Sequence, residues 1–586
     1  MTKEKIPHNK TTEKFIEEMF EQGILVNEEL LAKQNHPLDE NLIARLKAEE
    51  DLLVLNDDYT TILGNSSLVD WYDIDKSRVD VEKDRDEELY QSQLQGFTPT
   101  KLIVQALADE VEQNISAVST TLSPGSLSSE SNITSSHEDN FLSDSFDSPL
   151  PSLDIINKQE HSLILHSTST VSIIISYQNI PRKYLVEDFT NFFLSRYRFL
   201  ENILRNRKEL SGTISIKRIL AKSEKEKITL IGIIRDINET KTGNLVITIE
   251  DLTGEIKIIV SKAKQELYQM AKDLIVDEVV GVMGTFFDKV IFVDSFVWPD
   301  VPQDHELKKG HEEEYVIFLS DIHVGSKLFL KEEFNKFLEW INGRAGSEEQ
   351  RAVAQKVKYI FIAGDLVDGI GIYPSQQEEL EIDTIEGQYV EFTRLIKEIP
   401  AEKQIIICPG NHDIVHLAEP QPTFYKEFAP ELHSLPNVIL VTNPAVVNIG
   451  KNQNFSGFDV LMYHGYSFDY YVANVESIRT QGGYRRSDLI MKFLLKRRHL
   501  APSFKSTPYY PSHTEDPLLI RTIPDFFITG HIHYSKQANY RGVTMISGSC
   551  WQGKTSFQEK LGHEPEPARV PIVNLQTRQI KVLRFG

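Results

Sequence analysis

YIFIAGDLVDG, residues 359–369, is the stretch from which the fold can be read. Five consecutive apolar residues stop at Gly364, and the chain then delivers Asp365 and Asp368. A short β-branched and aromatic run bounded by glycine reads as a strand buried on both faces. The same grammar recurs on either side, in YVIFLSDIH (315–323), IIICPGNHD (405–413), VLMYHG (460–465) and FFITGHIH (526–533). Helical or loop stretches separate these runs, and that alternation is the signature of an α/β domain. In open α/β sheets, ligands gather at the carboxyl ends of strands. Five such ends would collect Asp321, His323, Asp365, Asp368, Asn411, His412, His464, His531 and His533.

The spacing supports a shared site. Asp321 and His323 are two residues apart at a strand end, so both side chains can point to one side, and His531 and His533 repeat the arrangement. Carboxylate, amide oxygen and imidazole together suit Mn²⁺, Fe²⁺, Zn²⁺ or Mg²⁺. Gly364, Gly410, Gly465 and Gly530 stand where the chain leaves a strand and a tight turn or close approach needs no Cβ. Singly, each signal has an ordinary reading: a Gly-Asp turn, a capped helix start at Gly-Asn-His-Asp, a hydrogen-bonded core histidine at 464. The five in order, each behind a strand, do not.

Upstream of this α/β region, residues 171–300 read as a helix followed by a barrel. VEDFTNFFLSRYRFLENILRNR (186–207) sets Phe189, Phe192, Phe193, Leu200, Ile203 and Leu204 on one helical face. Strand-like runs follow, with turns at 238–243 and 253–254 and a helix, KAKQELYQMAKDL, between the third and fourth. Five strands with a helix in that slot suggest an OB-fold, serving either single-strand binding or docking. Residues 56–170 read as an acidic, Ser-rich, largely disordered linker, centred on SPGSLSSESNITSSHEDNFLSDSFDSPLPS (123–152). Residues 1–55 read as a small helical module for partner docking, in which Phe15, Met19 and Phe20 share a face.

Composition narrows the class. The net charge of −23 is concentrated early: residues 1–160 hold 33 acidic against 13 basic side chains, and the rest hold 53 against 50. The acidic balance therefore describes the N-terminal part and does not argue against DNA contact further on. No run approaches the roughly 18–20 apolar residues of a membrane span. The N-terminus lacks the apolar core of a secretory signal. Two cysteines, Cys408 and Cys550, exclude a disulfide framework and a cysteine zinc site. The expected location is cytoplasmic.

The ordered motifs Asp-x-His, Gly-Asp-x-x-Asp, Gly-Asn-His-Asp, lone His and Gly-His-x-His resemble the calcineurin-like metallophosphoesterase superfamily over 312–586. Within it, LLKRRHLAP (494–502), WQGKTSFQ (551–558) and VPIVNL (570–575) resemble the small subunits of archaeal D-family DNA polymerases. The architecture so implied is multidomain α/β. A two-sheet α/β sandwich metallophosphoesterase domain (312–586) is preceded by the OB-fold barrel and the small N-terminal helical module. The resemblance implies two divalent ions, with Mn²⁺ the favoured reading. One would be held by Asp321, His323, Asp365 and His533, and the other by Asp365, Asn411, His464 and His531. It places His412 beside the scissile phosphate and gives Asp368 a supporting role behind a ligand or behind His412.

Physics agrees with that chemistry, because paired cations neutralise a phosphodiester and lower the pKa of water. Arg485, Arg486, Lys496, Arg497 and Arg498 are candidates for gripping the DNA backbone, or else for a solvated face or a partner contact. The implied function is a proofreading 3′→5′ exonuclease, nucleoid-associated, in a heterodimer with a large catalytic subunit that carries out synthesis. A sliding clamp is a further candidate partner for the N-terminal helices. The alternative is a non-catalytic scaffold, as in related eukaryotic subunits that have lost these ligands. A phosphoprotein phosphatase is disfavoured because Gly369 directly follows Asp368, where those enzymes carry Arg.

Overall fold

The five apolar runs are strands buried along almost their whole length, which is why they read as continuous rather than alternating hydrophobics. The computed structural model describes residues 170–177, 182–511 and 515–586, together with a two-residue parallel strand pair, Leu25–Val26 against Val54–Leu55. Apart from that pair, the expected helical module and linker, up to residue 169, lie outside the described residues. The chain divides into two units, Met1–Lys158 and Gln159–Gly586, and the strand ends of interest all belong to the second.

In chain order the strands of the second unit are β1 Val171–Ser176, β2 Glu226–Glu239, β3 Leu245–Asp251, β4 Gly254–Val260, β5 Val279–Phe287 and β6 Val290–Val297. They continue with β7 Tyr315–Leu319, β8 Val357–Ala363, β9 Gln404–Cys408, β10 Val438–Leu440, β11 Ala445–Ile449 and β12 Phe458–Met462. The last are β13 Phe526–Thr529, β14 Lys536–Tyr540, β15 Val543–Ser547, β16 Arg569–Asn574 and β17 Ile580–Arg584. One six-stranded sheet has the order β10-β9-β8-β7-β16-β17, and a second has the order β14-β15-β13-β12-β11-β1. Strands β7 to β10 are mutually parallel, as are β12, β13 and β15.

The two sheets face each other across one apolar layer. Phe318, Phe361 and Ile406 of the first meet Val460, Phe526 and Ile528 of the second in a single buried cluster. Helices Lys331–Ile341 and Ile385–Ile396 cover the outer side of the first sheet, and Ser487–Arg497 covers that of the second. Burying each large apolar side chain contributes roughly 1.5–3 kcal/mol, whereas an exposed pair such as Arg344–Glu339 is screened by solvent and contributes little. The sheet-to-sheet core, not the surface ion pairs, therefore fixes the strand ends.

Strands β2 to β6 close into a barrel in the order β2-β3-β4-β6-β5, and helix Gln265–Lys272 lies between β4 and β5 as its sequence suggested. Ile247, Ile258, Val280 and Ile291 fill its interior. Strand β1, within the 171–300 span read as a helix followed by a barrel, pairs antiparallel with β11 at the edge of the second sheet. Six residues of strand propensity do not say which sheet they complete. In helix Val186–Arg205 the expected face is buried at Phe192, Leu200 and Leu204, but it also carries the fully buried Arg196. Arg196 is neutralised by Asp516 at 2.7 Å, and Asp516 in turn meets His499 Nε2 at 2.7 Å. Among the described residues no helix is long and apolar enough to cross a membrane.

The barrel and the two facing sheets meet through the basic segment that offered candidates for DNA contact, a solvated face or a partner contact. Arg497 is buried, 2.7 Å from Glu278 at the start of the barrel's fourth strand, and donates to the carbonyl of Asp273. Lys496 lies 3.4 Å over the Trp298 ring, and the Trp298 indole donates to Glu278. Arg498 donates to the carbonyls of Ile520 and Arg521. Removing one partner of a buried pair costs about 3–5 kcal/mol. Glu278→Ala, which strands the Arg497 guanidinium, should lower the unfolding free energy by about that much, read by urea denaturation followed through tryptophan fluorescence. Arg497→Leu should cost less, because burial already pushes the Glu278 carboxyl upward and it can take a proton.

Candidate metal centre

Parallel neighbours end at the same edge of a sheet, so β7, β8 and β9 deliver Asp321, His323, Asp365, Asp368, Asn411 and His412 together. Strands β12 and β13 deliver His464, His531 and His533 from the facing sheet. Asp321, His323, Asp365, His531 and His533 all have left-handed backbone, with φ of 51°, 54°, 53°, 73° and 56°. That conformation costs a residue with a Cβ roughly 1–2 kcal/mol. Such strain clusters where side chains must be aimed rather than merely packed. Here it is stabilised by hydrogen bonds between strand ends. Asp321 N–H donates to the carbonyl of Gly364, Ile322 N–H to that of Asp365, and His531 N–H to the Asp321 carboxylate at 2.9 Å.

Two glycines permit the approach. A Cβ on Gly364 would lie 2.4 Å from His464 Nδ1, and one on Gly410 would lie 2.2 Å from Asp365 Oδ1.

The side chains form two overlapping groups. On one side, His323 Nε2 is 3.0 Å from His533 Nε2, and His533 Nε2 is 3.5 Å from Asp321 Oδ1. On the other, Asn411 Oδ1 is 3.0 Å from His464 Nε2 and 2.9 Å from His531 Nδ1. Asp365 Oδ2 lies between them, 3.9 Å from His323 Nε2 and 3.2 Å from His464 Nε2. Ligand atoms held about 2.0–2.1 Å from a tetrahedral ion stand about 3.3 Å apart, close to these separations. Imidazole, carboxylate and amide oxygen also match the softness of a mid-series divalent ion. The residues present therefore fit a pair of cations.

A second rank holds the imidazoles. His464 Nδ1 donates to the carbonyl of Ala363 at 2.8 Å, which turns Nε2 toward the centre. His323 Nδ1 is 3.2 Å from Asp368 Oδ1, His531 Nε2 is 2.8 Å from Asp469 Oδ2, and His533 Nδ1 is 3.0 Å from Gln558 Nε2. Asp368 is itself fixed by Gln552 and Gln376. Its backbone carbonyl accepts from His412 Nδ1 at 2.7 Å, so Asp368 stands behind both His323 and His412. Asp469, Gln552 and Gln558 were not expected in a role. The two glutamines belong to WQGKTSFQ, and Asp469 follows His464 by five residues, but only the tertiary fold brings them to the imidazoles. Asp413, the last residue of Gly-Asn-His-Asp, braces the loop by accepting from Gly410 N–H and Tyr389 Oη. Burial, reinforced by Asp365, pushes its carboxyl up to about 7.

Burial alone would raise the Asp365 carboxyl, but His464, His412 and His323 outweigh it and hold it well below the usual range. Burial opposes a charge on His464, yet Asp365 overcomes this and lifts the imidazole to about 9. Burial lowers His412 despite Asp365 nearby.

The cleft over these groups has a volume of about 850 Å³ and is walled by Tyr373, Tyr466, Tyr484 and Phe557 as well as by His412, His323, Asp365, Asn411, His531 and His533. Of the five cations considered for DNA contact, Arg485 is exposed and Arg486 pairs with Asp488. Arg497 is turned inward to Glu278 at the barrel junction, Arg498 donates to the carbonyls of Ile520 and Arg521, and Lys496 is half-buried over the Trp298 ring.

Residues 316–537 match the family of DNA polymerase alpha/epsilon B subunits. The chain is 39% identical to the DNA polymerase II small subunit of Methanothermobacter thermautotrophicus, over 68% of this chain and 80% of that one. It is 37% identical to that of Pyrococcus furiosus, over 69% of this chain and 64% of the relative, less than two thirds of its length. It is 40% identical to that of Methanocaldococcus jannaschii, over 67% of this chain and 64% of the relative.

Loss of an outer hydrogen-bond partner typically lowers metal affinity about 10–100-fold. Asp469→Ala and Gln558→Ala should each weaken Mn²⁺ binding by about that factor, read by titration calorimetry, with circular dichroism unchanged.

Proposed function

The chain belongs to the family of archaeal DNA polymerase II small subunits, and from that premise we propose that it is a two-metal 3′→5′ exonuclease acting on single-stranded or mismatched DNA ends. The observation that carries this reading is the convergence of seven ligand-type side chains in one cluster, five of which line a single cleft together with His412. Asp321, His323, Asp365 and His533 would hold one cation and Asp365, Asn411, His464 and His531 the other, which when bound would neutralise the phosphodiester and activate water. No side chain is then needed as a nucleophile.

The chain's own contribution is positioning and proton handling. Asp365 Oδ1 accepts from His412 N–H at 2.8 Å, so the carboxylate between the two groups also fixes the residue at the reacting phosphate. His412 Nδ1 must donate to the Asp368 carbonyl, so Nε2 carries a proton only as imidazolium. Burial opposes that state, and the negative charge of an arriving phosphate favours it. His412 would then stabilise the transition state or protonate the leaving 3′ oxygen.

We read the closed barrel as an OB-fold and the facing sheets as a metallophosphoesterase sandwich. Polymerisation belongs to the large catalytic subunit, with which this chain forms a heterodimer. Arg485 remains a candidate for backbone contact. A scaffold role draws support from the buried barrel junction, since the basic segment serves internal architecture. The two roles are compatible. The strained backbone at five ligand positions favours an active centre, because a scaffold gains nothing from it.

With an end-labelled mismatched primer and Mn²⁺, His412→Ala should lower hydrolysis about 10²–10⁴-fold and leave Mn²⁺ binding and complex assembly in place. Asp365→Ala should remove both hydrolysis and metal binding. Normal hydrolysis by both variants would defeat the site assignment.

A further inference from the structure

Beside the polar centre lies an apolar wall that phosphodiester chemistry does not require. The Tyr373 ring is 6.3 Å from that of His412, and Phe557 stacks on Tyr373 at 5.5 Å with an interplanar angle of 21°. One carboxylate fixes both rings. Glu379 accepts from Tyr373 Oη at 3.0 Å and from the N–H of Ser556, the first residue of the short helix Ser556–Leu561 that carries Phe557. Phe557 has Tyr373 as its one aromatic partner among the described residues and is 38% exposed. Ile370 and Ile372, 49% and 39% exposed, continue the wall along the same cleft. Tyr484, another aromatic residue of the cleft, is differently occupied: it leans on His563 at 4.4 Å and serves Asp469, the residue behind His531.

Exposed, held aromatic faces next to a phosphate-directed centre are what a nucleobase uses, since every base has a π-face. A small anion would be better served by cations than by Phe557, Ile370 and Ile372. We propose that the Tyr373–Phe557 stack is the seat of the unpaired 3′-terminal base, and that it makes the nuclease prefer frayed ends. The inference rests on the nuclease reading above. A base still stacked in a duplex has its faces occupied and cannot use the seat, so pairing itself withholds the substrate. The seat is in register with the chemistry because Gln558, the next residue, holds His533.

The test compares the full chain, purified with its large subunit, on two single-stranded oligonucleotides. One ends in an ordinary 3′ nucleotide and the other in a 3′ abasic (tetrahydrofuran) residue. The unsubstituted protein should favour the base-bearing end by about tenfold or more in kcat/KM. Phe557→Ala should bring that ratio close to parity, chiefly through KM, with Mn²⁺ affinity retained. Phe557→Tyr should restore it. Three results would overturn the proposal: an undiminished preference in Phe557→Ala, an equal fall on both substrates, or a loss of Mn²⁺ affinity that marks Phe557 as a mere support for Gln558. Failure of the unsubstituted protein to cleave either oligonucleotide would instead overturn the nuclease reading, and this one with it.

Discussion

Asp365 is a carboxylate taken out of water at the end of a central strand, and its charge must be met by something other than solvent. An ionised carboxylate without compensation is among the most expensive groups to bury. Here His464, His412 and His323 surround it, and their combined effect, led by His464, holds the carboxyl down against burial. The same requirement raises His464, so the protein alone meets the charge with protons. Metal ligands must be deprotonated to bind, and cations would replace those protons. The ends of β7, β8, β9, β12 and β13 are arranged around that one oxygen-bearing position. The arrangement includes left-handed backbone at five residues and the missing Cβ at Gly364 and Gly410.

The remainder of the fold acts on that cluster at one remove. The apolar layer between the sheets sets the height of the strand ends. The segment 551–558 returns from the second sheet to place Gln552 on Asp368 and Gln558 on His533. Asp469, on the short helix after His464, holds His531. Each candidate ligand histidine therefore has both ring nitrogens committed, one toward the centre and one toward a fixed partner. This geometry, rather than the number of acidic groups, distinguishes the cluster from an accidental gathering of polar residues.

The central strands and all nine residues at their ends were legible in the sequence because strands covered on both faces give unbroken apolar runs, and a polar residue breaking such a run stands out. The supporting residues were not legible. Gln558 and Asp469 look like ordinary polar residues until the chain folds, and nothing local announces a positive φ at Asp321 or His533. Basic residues misled for a related reason. In LLKRRHLAP the charge density is plain, but the directions of Lys496 and Arg497 depend on Glu278, Asp273 and Trp298 more than 190 residues upstream, and that of Arg498 on the carbonyls of Ile520 and Arg521. Arg196 is the converse case, a cation within an apolar helical face whose partner, Asp516, lies far along the chain.

The most direct test of the account is anomalous scattering from crystals grown with Mn²⁺. The account predicts two peaks, one among Asp321, His323, His533 and Asp365 and one among Asp365, Asn411, His464 and His531. No peak at Asp365, or a single peak away from these side chains, would contradict it.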